Sequence, residues 1–208
     1  MLSSIPYGTY ANFSPRGQSE LSQKSKQSCS RIKAGRFNLD NIVPNLNAPT
    51  GQVLQPFLDP SVTFVPVPKS HPLTEGALWP SMVIAEELRR LGYGEAISPL
   101  IKRISPVRRS ATAGWGNRPS VEEHYQTLEV ERDIFQPQKI TLIDDVLTKG
   151  STVFACALRL YEQFPEAEIR AFALFRTQGY IPNIETFIDP SSGIISYNKI
   201  ADSVNRNP

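Results

Sequence analysis

The stretch Ile140-Thr-Leu-Ile-Asp-Asp-Val-Leu-Thr-Lys-Gly-Ser-Thr152 constrains the fold of this chain more than any other segment. Lys139 to Ile143 reads as a buried strand that ends in Asp144 and Asp145. Past a loop of small residues, Thr148 to Thr152, the residues Val153, Phe154, Ala157, Leu158 and Tyr161 recur at helical spacing until Pro165 stops the helix. The strand therefore delivers two carboxylates to its C-terminal edge, where open α/β sheets bind ligands. The helix that follows offers free backbone N–H groups and the positive end of its dipole, which suit a phosphate. Gly150 permits close backbone approach, and the hydroxyls of Thr148, Ser151 and Thr152 add donors. Such a site fits a ligand that carries both sugar hydroxyls and a phosphate. Two adjacent acids before a helix also occur as a plain turn and N-cap; the loop and apolar strand beside them favour the ligand.

The flanking sequence repeats the strand–helix pattern. Val62 to Pro68 reads as a buried strand running into a proline-rich turn. A helix starts at Pro80, with Val83, Ile84, Leu88 and Leu91 on one face and Gly92 as its stop. Ile97 to Ile104 is a second strand and Thr127 to Val130 a short one. Ile169 to Phe175 is nearly all apolar, as for a central strand covered on both faces. The sum is an α/β fold: a parallel β-sheet flanked by helices. Ser105 to Gln126, with Arg108, Arg109, Gly114, Gly116, Arg118 and Pro119, has little periodicity, and an irregular run of that length is usually functional or mobile. Residues 177–208, with Pro182, Pro190 and Gly193, match no pattern. Residues 1–36 set Arg16, Lys24, Lys26, Arg31, Lys33 and Arg36 against Glu20 alone, amid Ser, Gln and Gly. They read as a solvated, irregular basic arm or as a polar subdomain that packs late, composition favouring the arm. The expected division is an N-terminal arm or hood-like segment, 1–60, and a domain, 61–208.

Composition narrows the class. A chain of 208 residues with 40% hydrophobic and 20% charged side chains can bury a core. A net charge of +2 gives no reason to expect the whole chain to bind nucleic acid. No apolar run is long enough to span a membrane, and Met1 to Asn12 lacks the basic and apolar regions of a secretory signal. Cys29 and Cys156 read as reduced thiols, so the cytoplasm is the expected location. His71 and His124 have no metal-ligand spacing and read as surface or hydrogen-bonded residues. Neither a P-loop nor a complete dinucleotide turn is present.

The segment Ile140 to Thr152 resembles the signature of the class I phosphoribosyltransferases: an apolar strand, two acids, then Thr-x-Gly-x-Thr, matched by Asp144, Asp145, Thr148, Gly150 and Thr152. The likeness is looser elsewhere across residues 61–176. Val65-Pro-Val-Pro-Lys69 resembles the first-strand turn that contacts pyrophosphate in this family, particularly in ComF-like members, although the ComF zinc-binding cysteines have no counterpart. Lys102 to Arg118 lies where the family has its mobile catalytic loop.

The resemblance implies a phosphoribosyltransferase-type fold, 5-phosphoribosyl-1-pyrophosphate (PRPP) with Mg²⁺, and transfer of phosphoribose to a nitrogen acceptor with release of pyrophosphate. Asp144 and Asp145 would bind the ribose hydroxyls. Val146 and Leu147 would help bind PRPP, and Thr148, Lys149, Gly150, Ser151 and Thr152 would hold the 5-phosphate. Pro68 and Lys69 would meet pyrophosphate, with Lys102, Arg103, Arg108 and Arg109 closing over it and Arg118 in the same group. Mg²⁺ would be held by pyrophosphate, ribose oxygens and water, with the two aspartates reaching it at most through water and no dedicated protein cage. Trp79 is expected to pack; Trp115, between glycines, is a candidate to stack on a base. A second reading stays open: a non-catalytic sensor or effector module of this fold that binds PRPP or a nucleotide and acts through a protein or nucleic-acid partner, with the basic arm 1–36 as the contact. A homodimer is compatible with either.

Overall fold

In the computed structural model, residues 2–36, 38–108, 118–131, 136–179 and 181–208 are described. Strand β1 (Ser4–Phe13) leads into helix α1 (Glu20–Lys33), whose N-cap Ser19 accepts a hydrogen bond from the Ser22 N–H. Two short helices, α2 (Val43–Asn47) and α3 (Gln55–Leu58), with 3₁₀ turns between, return the chain to strand β2 (Thr63–Pro66). Helix α4 (Pro80–Arg90) then leads to strand β3 (Ala96–Ile97). Strand β4 (Ile101–Arg103), helix α5 (Val121–Tyr125) and strand β5 (Leu128–Val130) follow, with β4 and β5 forming a separate antiparallel pair. The chain closes with strand β6 (Lys139–Leu147), helix α6 (Ser151–Gln163) and strands β7 (Glu168–Thr177), β8 (Ile188–Asn198) and β9 (Ser203–Asn207).

The main sheet has seven strands in the order β3-β2-β6-β7-β1-β8-β9. β3, β2, β6, β7 and β1 run parallel, and β8 and β9 add an antiparallel edge. The expected α/β architecture is therefore present, as a mostly parallel sheet between helices. One face buries Ile140 and Leu142 of β6 against Phe154 and Leu160 of α6, with Ile101, Leu128 and Ile195. The opposite face buries Phe64, Ile143 and Phe172 against Ile84 and Leu88 of α4, Phe57 of α3 and Cys29 and Ile32 of α1. Among the described residues, no helix is long and apolar enough to cross a membrane.

Three expectations need correction. The N-terminal residues are not a solvated arm: β1 lies inside the sheet, parallel to β7 on one side and antiparallel to β8 on the other. The division at residue 60 consequently cuts through one sheet rather than between two units. Pro6 and Gly8 argue against a central strand in the sequence. Pro6 is nonetheless tolerated because the ladder to β7 starts only at Tyr7. Gly8 is required because a Cβ there would come within 2.7 Å of the Phe57 ring. Likewise, Ile97 to Ile104 is two short strands in different sheets, and Lys102 and Arg103 belong to β4, not to a loop.

Deleting residues 1–18 removes β1 and exposes the edges of both β7 and β8. The shortened chain is expected to lose its cooperative thermal transition, followed by near-ultraviolet circular dichroism. A dispensable arm would leave that transition in place.

Candidate functional site

The C-terminal edge of the sheet is stepped. β2 ends at Pro66, opposite Ile143 of β6, and the last bond of this ladder runs from the Val67 N–H to the Ile143 carbonyl at 2.9 Å. The indole N–H of Trp79 takes the Val67 carbonyl at 2.8 Å, so this tryptophan packs as expected and seals the strand end. β6 continues to Leu147, paired on that stretch with β7. A notch results, one strand wide, and Asp144 and Asp145 stand in it.

Neighbouring residues of a strand face opposite sides of the sheet. Asp145 faces α1, where the Lys33 ammonium lies 3.6 Å from its carboxylate. Asp144 is on the side of α6, close enough to Cys156 for its charge to help raise that thiol, which burial pushes up to about 12. Each carboxylate accepts the next backbone N–H: Asp145 N–H donates to Asp144 at 2.8 Å, and Val146 N–H to Asp145 at 2.9 Å. These bonds orient both side chains at the open strand end. Burial, reinforced by the like charge of Asp145, raises the Asp144 carboxyl well above the ordinary value of 3.8. Burial opposes the charge on Lys33, yet Asp145, with Cys29 and Asp144, outweighs it and raises the ammonium's pKa.

The loop beyond β6 turns at Gly150, in the left-handed region at φ 102°, where a Cβ would come within 2.9 Å of Ile195 Cδ1. Only glycine adopts that backbone cheaply while β8 packs so closely. No side chain caps α6, so its first N–H groups are left for another acceptor. Thr148, Ser151 and Thr152 lie half-buried around this opening, and Lys149 is exposed. Arg206 of β9 donates to the Leu147 carbonyl at 2.9 Å and to the Thr177 carbonyl, tying the end of β6 to the end of β7 under the loop.

The structure brings only some of the other sequence candidates to the notch. Pro68 is buried at the end of β2, and Lys69 follows it with its ammonium on the Leu78 carbonyl at 3.1 Å. Arg103 is buried and donates through Nε to the Lys69 carbonyl at 2.6 Å, so it braces the turn from within. Lys102 faces the other way into solvent, paired with Glu131. Arg108 is exposed and bonded to Glu123 at 2.8 Å, and Arg118 is exposed. Arg109, Gly114, Trp115 and Gly116 lie outside the described residues. His71 is exposed beside Ser70, whereas His124 is buried with Nε2 at 3.1 Å from Thr152 Oγ1. Lys33, Cys29, His124 and Arg206 are site neighbours that sequence reasoning did not place there. No local signal marks them, because each arrives from a distant element. Among the described residues, no three His, Cys, Asp or Glu side chains cluster as a metal site.

The sequence matches no known protein-family model and no curated protein.

The folded state holds a proton on Asp144 at pH values where the unfolded chain has released it. The stability this confers is complete below pH 3.8 and is lost as pH rises through the folded-state value. Asp144→Asn is therefore expected to melt above the wild type at neutral pH, with the advantage shrinking in acid; melting curves against pH check this. Gly150→Ala is expected to destabilise by about 1–3 kcal/mol, read from the denaturant midpoint, because it strains the left-handed turn and crowds Ile195.

Proposed function

We propose that the notch binds PRPP with Mg²⁺ and that the chain transfers its phosphoribosyl group to a nitrogen acceptor. The observation that carries this reading is the meeting, at one open strand end, of two oriented carboxylates and an uncapped helix start turned by Gly150. Each carboxylate offers a charged acceptor for a ribose hydroxyl, and the N–H groups and hydroxyls of residues 148–152 offer donors for the 5-phosphate. Lys33 balances the Asp145 charge in the free protein.

Transfer needs little covalent help from the protein. The acceptor nitrogen's lone pair forms the bond to ribose C1, and the C1–O bond breaks with its electrons leaving on pyrophosphate. Positioning and charge stabilisation would then dominate. Mg²⁺ supplies charge neutralisation on the pyrophosphate. Because Mg²⁺ dehydrates reluctantly, it would be held chiefly by ligand oxygens and water. Lys69, whose carbonyl accepts from Arg103, is the cation we assign to the leaving group.

Calorimetric titration with PRPP, with and without Mg²⁺, tests the reading beside Asp144→Asn/Asp145→Asn. Mg²⁺-assisted binding is expected, weakened on the order of 100-fold in the double variant by loss of two charge-assisted contacts. Absence of PRPP binding by the wild type overturns the proposal. Pyrophosphate release across a panel of nitrogenous bases separates transfer from sensing: saturable binding without release favours the sensor module.

A further inference from the structure

Behind the notch runs a chain of polar side chains that links the turn after β2 to the start of α6. Arg103 and His124 are 5% and 2% exposed. Arg103 donates through Nε to the Lys69 carbonyl and through Nη1 to Thr127 Oγ1. Thr127 Oγ1 in turn donates to the His124 carbonyl at 2.7 Å, and His124 Nε2 meets Thr152 Oγ1 at 3.1 Å. Two atoms of this chain, Arg103 Nη2 and His124 Nδ1, are buried without a hydrogen-bond partner among the described residues.

The imidazole is neutral. Burial pushes it down to about 4, the nearby Arg103 cation pushes the same way, and Glu123 of its own helix opposes them. A neutral ring carries one proton, and its place decides what Thr152 does. Arg103 reaches the His124 backbone through Thr127 and its charge acts on the ring, whose Nδ1 has no partner among the described residues. An N–H at Nδ1 would be a buried orphan donor in the field of a cation, and orphaned donors are rarer than orphaned acceptors. A lone pair there is favourable in the field of the guanidinium. The proton then resides on Nε2 and is donated to Thr152 Oγ1. With that oxygen accepting from the ring, the threonine's own proton is free to point outward, toward the start of α6.

Resting on the phosphate-binding reading above, we propose that His124 is a positioning residue: held in one tautomer by Arg103, it turns the Thr152 hydroxyl into a donor for the anion bound at the start of α6. The same chain couples the pyrophosphate-side turn at Lys69 to the phosphate loop, so the two halves of the site are braced by one network.

Long-range proton–nitrogen spectra of the whole chain read the tautomer directly, with His71→Gln assigning the other of the 2 histidines. The Nε2–H form is expected, unchanged until pH falls to about 4; the Nδ1–H form overturns the proposal. Inorganic phosphate and PRPP are then titrated into wild type, His124→Leu and His124→Gln, each checked for an unaltered melting transition. Leucine is expected to weaken phosphate about tenfold, and glutamine, whose amide N–H replaces the ring donor, to recover most of that loss. In a Thr152→Val background, which also serves if His124→Leu folds poorly, His124→Gln should have no further effect. Equal affinity of the leucine variant and the wild type overturns the relay, as does equal weakening by leucine and glutamine. Phosphate binding without PRPP binding overturns the proposed function and not the relay, while binding of neither overturns both.

Discussion

The geometry of this protein turns on a mismatch in length between two neighbouring strands. The ladder between β2 and β6 stops at Val67, whose carbonyl takes the Trp79 indole N–H while the Asp145 N–H goes to Asp144, whereas β6 runs on to Leu147 against β7. The backbone groups of β6 left without a neighbour are partly satisfied by its own side chains, as Asp144 takes the N–H of Asp145. The candidate site residues gather around that step in the sheet edge. The acids stand in it, the turn at Lys69 borders it, and the start of α6 overlooks it. Had β2 matched β6 in length, the two carboxylates would flank a closed ladder with no room for a ligand between strands.

Charges around the notch are arranged at some expense of stability. Asp144 is crowded by protein and by its like-charged neighbour, and Arg103 is buried with an unpaired Nη2. Buried polar groups left unsatisfied cost roughly 1–3 kcal/mol each, so a fold selected for stability alone would replace them. Their concentration along one edge, and the compensating Lys33 ammonium at Asp145, are what a pre-organised polar site requires. Immediately before the acids begin, β6 buries Ile140, Leu142 and Ile143 fully.

Legibility in the sequence followed the strength of local signals. Pro80 and Gly92 bracket α4, Pro165 follows α6, and both helices carry apolar residues at the right spacing, so they were readable. β1 was not, because Pro6, Gly8 and Asn12 are poor strand residues that this site tolerates for tertiary reasons. Arg176 donates to Thr9 at 3.0 Å, and the Asn12 amide donates to Asp189 at 3.0 Å, contacts that exist only after distant segments meet. α1 was hidden differently. Its inward stripe is Ser22, Ser25, Cys29 and Ile32, which has helical spacing but is polar in composition. Ser25 donates to the Ser22 carbonyl at 2.8 Å and Ser22 Oγ accepts the Ile184 N–H at 3.2 Å, so a stripe that looks solvated packs inside.

By itself the sequence determined the α/β alternation, the strand that carries Asp144 and Asp145, though not its continuation past them to Leu147, and the glycine-turned loop into α6. Those features rest on contacts between residues close in the chain, on backbone preferences of Pro and Gly, and on periodicity. Only the tertiary structure decided that residues 4–13 fill the middle of the sheet, that the two aspartates face different helices, and which charges surround them. Lys33, Arg103, His124 and Arg206 are drawn to the site from four separate elements. Burial and charge pairing are properties of the assembled sheet, and no local pattern encodes which distant side chain will supply them.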